Sequence, residues 1–162
     1  MDLATFWSLI DKARVSDGAD TEARVQGLAK VLTPLPKGEL ASFQDHYDSL
    51  IRLSYRWDLW GAAYIINGGC SDDGFRYFRD WLISEGREVF EKALASPDSL
   101  ADLPQIESAD LESFGYAATE VAERKGFGEL DRDFSTEGTD PIGEQGSEDD
   151  VAGLFPRLAA KY

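Results

Sequence analysis

Apolar residues recur every three or four positions along most of the chain, which is the spacing of amphipathic helices. The longest stripe runs from Leu40 to Ile51, and acidic and basic residues occupy its opposite side. Strict alternation of apolar and polar residues, the pattern of a half-buried strand, does not occur over a convincing length. Further helical stripes cover residues 3–10, 25–32, 75–82, 89–94 and 111–121. The pattern predicts an all-α fold, with about seven or eight helices in a single compact domain.

Residues 57–82 form the most apolar and aromatic part of the chain. Residues 59–66 are apolar on nearly all sides, which predicts a buried helix. Gly68 suits the left-handed conformation that closes a helix, and Ser71 is placed to cap the next one. We therefore expect a buried helix, a glycine turn and a second helix at the centre of the domain.

The ends of the chain differ in character from the centre. Residues 1–125 carry the helical stripes and form the predicted core domain, with one helix expected over residues 108–124. Residues 126–146 are rich in glycine and acidic residues and lack periodicity, which predicts a loop. Residues 147–162 predict a C-terminal helix, interrupted at Pro156, that packs on or near the core.

The charge of the chain limits the partners that it can bind. The 162 residues carry a net charge of −15, and the acidity is concentrated in the second part: residues 1–97 hold 15 acidic and 11 basic residues, and residues 98–162 hold 16 and 5. Nucleic acids and anionic membranes require an excess of lysine and arginine, so we expect neither as a partner. A protein partner would be basic.

The chain has one cysteine, no apolar run of about 20 residues and no basic segment before an apolar one at its N-terminus. An internal disulfide is therefore excluded. These features predict a cytoplasmic protein without a membrane span.

The glycine turn combines several reactive groups near the start of a helix. Cys70 lies where a helix dipole would stabilise a thiolate, but the only histidine that could serve as its base is His46, which the sequence does not place beside it. The turn also lacks the lysine of a phosphate-binding loop. Asp72 and Asp73 would repel a phosphate, and a helix cap in a tight turn is the simpler interpretation.

A metal site is a second possibility at the same turn. Asp58, Asp72 and Asp73 offer oxygen ligands for a divalent cation. Arg76 and Arg79 follow one and two helical turns later, where they would more naturally pair with the aspartates. We therefore predict no metal and no cofactor.

The aromatic residues of this stretch are more numerous than one helix pair can bury, so some could border a pocket or an interface. Flanked by Arg52, Arg56, Arg76 and Arg79, an aromatic groove would bind an acidic peptide or a planar ligand; the alternative is a core with arginines extending over its edge. The candidate binding residues are Trp57, Asp58, Trp60, Asn67, Cys70, Ser71, Asp72, Asp73, Arg76 and Arg79.

Three segments carry a resemblance to a known family. Residues 57–75, continued by Tyr77-Phe78-Arg79 and Trp81-Leu82, are similar to the signature of a bacterial family known as DUF4240, a domain of unknown function. The opening Phe6-Trp7 pair and residues 96–101 resemble it too, so the resemblance covers most of the chain to about Arg124. It implies a bacterial protein and transfers no activity or catalytic residue.

These observations favour a binding or interaction module, rather than an enzyme, that uses the face around residues 57–82. Its partner would be an unidentified protein or small molecule. One alternative is an acidic, immunity-type inhibitor that covers the basic active site of a toxin or nuclease. Another is a metal-dependent hydrolase that uses Asp58, Asp72 and Asp73.

Overall fold

The computed structural model describes residues 1–14, 21–132, 139–147 and 150–162. Over these ranges the fold is all-α, as predicted, and the one β-type pairing is an isolated parallel bridge between Arg56 and Ile142. No helix in the described ranges is long and apolar enough to cross a membrane. The α-helices are α1 (Leu3–Arg14), α2 (Thr21–Leu32), α3 (Lys37–Leu53), α4 (Trp57–Asn67), α5 (Asp72–Ser84), α6 (Arg87–Ala95), α7 (Ala117–Arg124), α8 (Val151–Leu154) and α9 (Pro156–Ala159). Two 3-10 helices, Pro97–Asp102 and Glu112–Tyr116, lie between α6 and α7.

The turn between α4 and α5 has the predicted geometry. Gly68 adopts φ 66°, ψ 28°, the left-handed conformation that ends a helix without a Cβ penalty. Ser71 precedes α5 in an extended conformation, and its Oγ accepts a hydrogen bond from the backbone N–H of Gly74 at 3.2 Å. Both predicted helix-end signals are therefore confirmed.

One apolar cluster forms the core, and every α-helix contributes at least one buried side chain to it. α5 lies deepest, because Phe75, Phe78 and Leu82 on its inner side are fully buried. The first two residues of α5, Asp72 and Asp73, are exposed at the glycine turn, so the turn joins the core to the partly exposed side of α4.

The structure corrects the prediction that α4 is buried on all sides. Its Leu59, Ala62, Ala63 and Ile66 are buried, whereas Trp60, Tyr64 and Ile65 are half-buried. The side of α4 that carries the buried residues faces the core. The other side meets only a thin layer of C-terminal chain, which leaves the large rings partly accessible.

The helix predicted over residues 108–124 is also wrong in extent, because α7 begins only at Ala117. The backbone N–H of Ala109 donates to Asn67 Oδ1 at 2.8 Å, and that of Leu111 donates to the carbonyl of Tyr77 at 3.2 Å. Amides engaged with α4 and α5 cannot donate within a local helix. The chain therefore stays irregular until the 3-10 helix at Glu112.

The chain returns to α4 after α7. The backbone N–H of Ile142 donates to Tyr55 at 2.8 Å, and its carbonyl accepts from the N–H of Trp57 at 3.0 Å. We call the described residues 139–147 and 150–162 the strap. Its helical part consists of the short helices α8 and α9, with a break at Phe155, next to the interruption predicted at Pro156. Residues 133–138 of the predicted loop and residues 148–149 of the predicted helix lie outside the described residues.

The end of the strap is fastened to the 3-10 helix Pro97–Asp102. One carboxylate oxygen of Asp98 accepts from the backbone N–H groups of Arg157 and Leu158, at 3.1 and 3.0 Å. Lys161 Nζ donates to the carbonyl of Ala101 at 3.0 Å. The strap therefore crosses the half-buried side of α4 with its end anchored by hydrogen bonds.

Candidate functional site

A cleft of about 840 Å³ separates the half-buried side of α4 from the strap. α4 supplies one wall, the turn before α5 closes one end, and the strap forms the opposite wall. The residues that line it are Trp57, Asp58, Trp60, Gly61, Tyr64, Cys70, Asp72, Glu144, Gln145, Gly146, Ser147, Asp150, Val151, Leu154 and Phe155.

The α4 wall begins a row of aromatic rings that continues into the core. Trp57 stacks on Trp60 with centroids 5.2 Å apart and planes 13° apart, and Trp60 stacks on Phe75 at 4.7 Å and 15°. The row continues through Phe78 to Trp81. The indole N–H of Trp60 donates to the carbonyl of Cys70 at 3.0 Å. Trp60 is thus fixed from several sides, and Trp57 stands at the solvent end of the row.

The charged groups of the cleft are all acidic: Asp58, Asp72, Glu144 and Asp150, with no lysine or arginine among the described residues that line it. Arg56 holds Asp58 through two hydrogen bonds, of 3.0 and 2.6 Å. Asp72 and Glu144 are exposed and make no ion pair within the described part of the chain. The cleft is therefore a region of negative potential beside tryptophan rings.

Gly61 allows the strap to approach α4. A Cβ added at this position would lie 2.9 Å from Phe155 Cε2 and 3.7 Å from a methyl carbon of Val151. Phe155 and Val151 are both buried at this contact. A glycine inside a helix reduces helix stability by about 1 kcal/mol relative to alanine, so here it permits a close packing contact that forms one end of the cleft.

Cys70 lines the cleft, but its chemistry differs from the prediction. Burial raises the pKa of its thiol to about 11, with Arg79 opposing that rise. The expectation of a stabilised thiolate is therefore wrong, because desolvation of the thiol outweighs the opposing charge of Arg79. His46 lies elsewhere, since its Nε2 is 3.1 Å from the carbonyl of Met1 and its ring packs on Phe6.

Arg79 is buried inside the fold. It donates to the carbonyl of Ile51 at 2.9 Å, near the end of α3, and its guanidinium lies 4.7 Å from the ring centre of Tyr55 and 4.9 Å from that of Phe75. Burial lowers the pKa of Arg79 to about 10, and the neighbouring Arg76 contributes in the same direction. Its contacts tie α5 to the end of α3.

Arg76 faces a buried carboxylate. Its Nε donates to Asp80 at 3.3 Å, and the hydroxyl of Tyr47 donates to the other oxygen of Asp80 at 2.6 Å. Burial raises the pKa of Asp80 to about 6, although Arg76 and Tyr47 oppose that rise. Gly115 packs against this carboxylate, where an added Cβ would lie 2.7 Å from Asp80 Oδ1.

Three more candidates also lie off the cleft. The side-chain amide of Asn67 bonds the backbone of Ala109 in both directions, at 2.8 and 3.3 Å. Ser71 caps α5, and Asp73 is exposed in the first turn of that helix. The structure thus brings Trp57, Asp58, Trp60, Cys70 and Asp72 together and leaves the other five candidates outside.

The arginine-flanked groove does not form. Arg76 and Arg79 contact α5 and α3, Arg56 pairs with Asp58, and Arg52 donates to Ser49 Oγ at 3.1 Å. Within the described ranges, no group of three or more His, Cys, Asp or Glu side chains is arranged to hold a metal ion. The geometry therefore supports neither an acidic-peptide groove nor the three-aspartate metal centre.

Sequence reasoning missed half of the cleft. The sequence places Tyr64 and Gly61 in a helix that it predicts to be buried, and the strap residues follow α4 by more than 70 positions. The one signal in the sequence is Gly61 itself, because a glycine inside a helix costs about 1 kcal/mol relative to alanine and suggests a packing reason for its presence.

The comparisons with known proteins identify the family. The model of the family described as "Protein of unknown function (DUF4240)" matches residues 1–124, which include α4, Cys70 and Asp72 but none of the strap. No curated protein and no solved structure matches the chain. Because the match spans more than half of its length, the chain belongs to the DUF4240 family.

Proposed function

We propose that this protein is a binding module that accepts a cationic ligand in the cleft between α4 and the strap. One observation carries the proposal: a cleft of about 840 Å³ combines a tryptophan wall with four carboxylates and no basic lining residue in the described chain. The net charge of −15 agrees with such a ligand, because the field of the whole protein attracts cations.

The aromatic wall gives the cleft a means of selecting among cations. An ammonium or guanidinium over a tryptophan face gains about 0.5–2 kcal/mol, depending on its desolvation. Trp57 is half-buried at the solvent end of the ring row, so its ring is the one best placed for this contact. Exposed ion pairs contribute only about 0–1 kcal/mol each, so the carboxylates attract the ligand and the ring adds affinity.

A basic toxin would satisfy the same chemistry, so an inhibitor of such a protein is a narrower form of this proposal. The three-aspartate hydrolase lacks a comparable observation. Asp58 is already paired with Arg56, and Asp73 lies outside the cleft, so the three aspartates do not converge on one ion. We therefore retain cation binding as the single proposed function.

The test is a titration of the full chain with spermidine and with octalysine, in which tryptophan fluorescence and calorimetry measure binding. We expect both probes to bind, and Trp57→Ala to weaken binding by about 2-fold to 30-fold, the equivalent of 0.5–2 kcal/mol. Asp72→Asn should also weaken it.

The matched control for Asp72→Asn is Asp73→Asn. Both substitutions remove one negative charge from the first turn of α5, but only Asp72 lines the cleft. Asp73→Asn should leave the affinity nearly unchanged. Equal losses in the two variants would show that binding follows net charge alone. If neither spermidine nor octalysine binds, the proposal is refuted.

A further inference from the structure

One wall of the cleft is a segment of the strap without regular secondary structure. Residues 144–147 of the strap line it and contain no helix, turn or bend. They follow Ile142, whose N–H and carbonyl are already paired with the backbone beside α4. Between Ile142 and this wall, Gly143 adopts φ 96°, so the strap bends after Ile142 and lines the cleft as irregular chain.

The backbone groups of this wall are available for pairing. Among the hydrogen bonds within the described residues, none uses the backbone N–H or carbonyl of Glu144, Gln145 or Gly146. All three residues are exposed. Exposed backbone groups without internal partners can form main-chain hydrogen bonds to a bound peptide, as in strand addition.

The aromatic rings of α4 and the carboxylates of α4 and α5 lie across the cleft from residues 144–146. A peptide paired with residues 144–146 would lie in the same cleft that Trp57 lines. Asp72 lies on the Trp57 side of the cleft, and Glu144 lies on the strap. A lysine or arginine side chain suits both the tryptophan wall and the carboxylates. Its alkyl stem covers apolar surface, and its charged end reaches the carboxylates.

We propose that the ligand is an extended, basic segment of a partner protein, which pairs with the backbone of residues 144–146 and places a lysine or arginine side chain on Trp57. This inference rests on the proposed function and adds the class of ligand. A small polyamine would use only the charge and the rings, whereas a peptide would also use the strap backbone.

The experiment compares octalysine with an octalysine that is Nα-methylated at alternate residues, using calorimetry on the full chain. The two peptides carry the same charge and side chains, but methylation removes half of the backbone N–H donors. We expect the methylated peptide to bind at least about tenfold more weakly, which corresponds to about 1.4 kcal/mol. Spermidine serves as the cation without a backbone.

Amide hydrogen exchange gives an independent result on the same samples. Octalysine should slow exchange at residues 144–146, and spermidine should not. Equal affinity of the two peptides, with no added protection of residues 144–146, would overturn the peptide inference and leave cation binding intact. If neither spermidine nor octalysine binds, the proposed function fails and this inference fails with it.

Discussion

Gly61→Ala is the sharpest test of how the strap is held against α4. In an isolated helix, this change would stabilise the helical state by about 1 kcal/mol. The added Cβ, however, would lie 2.9 Å from Phe155 Cε2, and carbon atoms in contact prefer about 3.5–4.0 Å. The ring must therefore retreat by at least about 0.6 Å.

Overpacking of this kind costs about 1–3 kcal/mol. It offsets or exceeds the gain in helix propensity, so we expect the free energy of unfolding of Gly61→Ala to fall by about 0–2 kcal/mol. Urea unfolding followed by circular dichroism measures it. The matched control is Gly38→Ala in α3, where an added Cβ meets no atom within 4 Å, and which should stabilise the protein by up to about 1 kcal/mol.

The same substitution in a Phe155→Ala background separates the contact with the Phe155 ring from the change in helix propensity. Phe155→Ala removes the ring that the new Cβ would strike, so Gly61→Ala made in that background should stabilise the protein by about 1 kcal/mol. The reasoning is refuted if Gly61→Ala stabilises the wild-type chain as much as Gly38→Ala does, because the strap would then not pack on Gly61.

Three further predictions concern the helix cap, the buried carboxylate and the strap anchor. Ser71→Ala should lower the free energy of unfolding in urea by about 1 kcal/mol, because α5 loses its cap; unchanged stability would contradict this role. Burial raises the pKa of Asp80 from 3.8 to about 6. Between these values the folded state keeps a proton that the unfolded state releases. The free energy of unfolding should therefore fall by up to about 3 kcal/mol as the pH rises from about 4 to 6. Asp80→Asn should remove this fall, and a variant that keeps the wild-type pH profile would show that another group causes it. Asp98→Ala should accelerate amide exchange at residues 157–160, because the side chain accepts from the N–H groups of Arg157 and Leu158; exchange at the wild-type rate would mean that the strap is held elsewhere.

The features that sequence predicted well depend on neighbouring residues. Gly68 and Ser71 work through backbone conformation and one local hydrogen bond, so their residue types were enough to place the turn. The all-α class followed in the same way from periodicity, which records the side of a helix that faces the core.

The features that sequence could not predict depend on distant segments. The apolar character of α4 is shared between a core-facing side and a cleft-facing side, and only the position of the strap distinguishes them. Likewise, the pKa of Cys70 depends on how much of its thiol the fold buries. The sequence predicts Arg79 as a binding residue at the surface, yet its guanidinium donates to the carbonyl of Ile51 in α3 and packs on the ring of Tyr55.

The central claim, that the cleft beside α4 is the ligand site, can be tested by the indole N–H signals of the protein in a two-dimensional nitrogen–proton NMR spectrum. The chain has four tryptophans: Trp57 and Trp60 line the cleft, and Trp7 and Trp81 are buried in the core at 3% and 2% exposure. Each signal can be assigned with a single Trp→Phe variant. Addition of octalysine should shift the signals of Trp57 and Trp60 and leave those of Trp7 and Trp81 in place. Binding that shifts none of the four, or only the two core signals, would contradict the account.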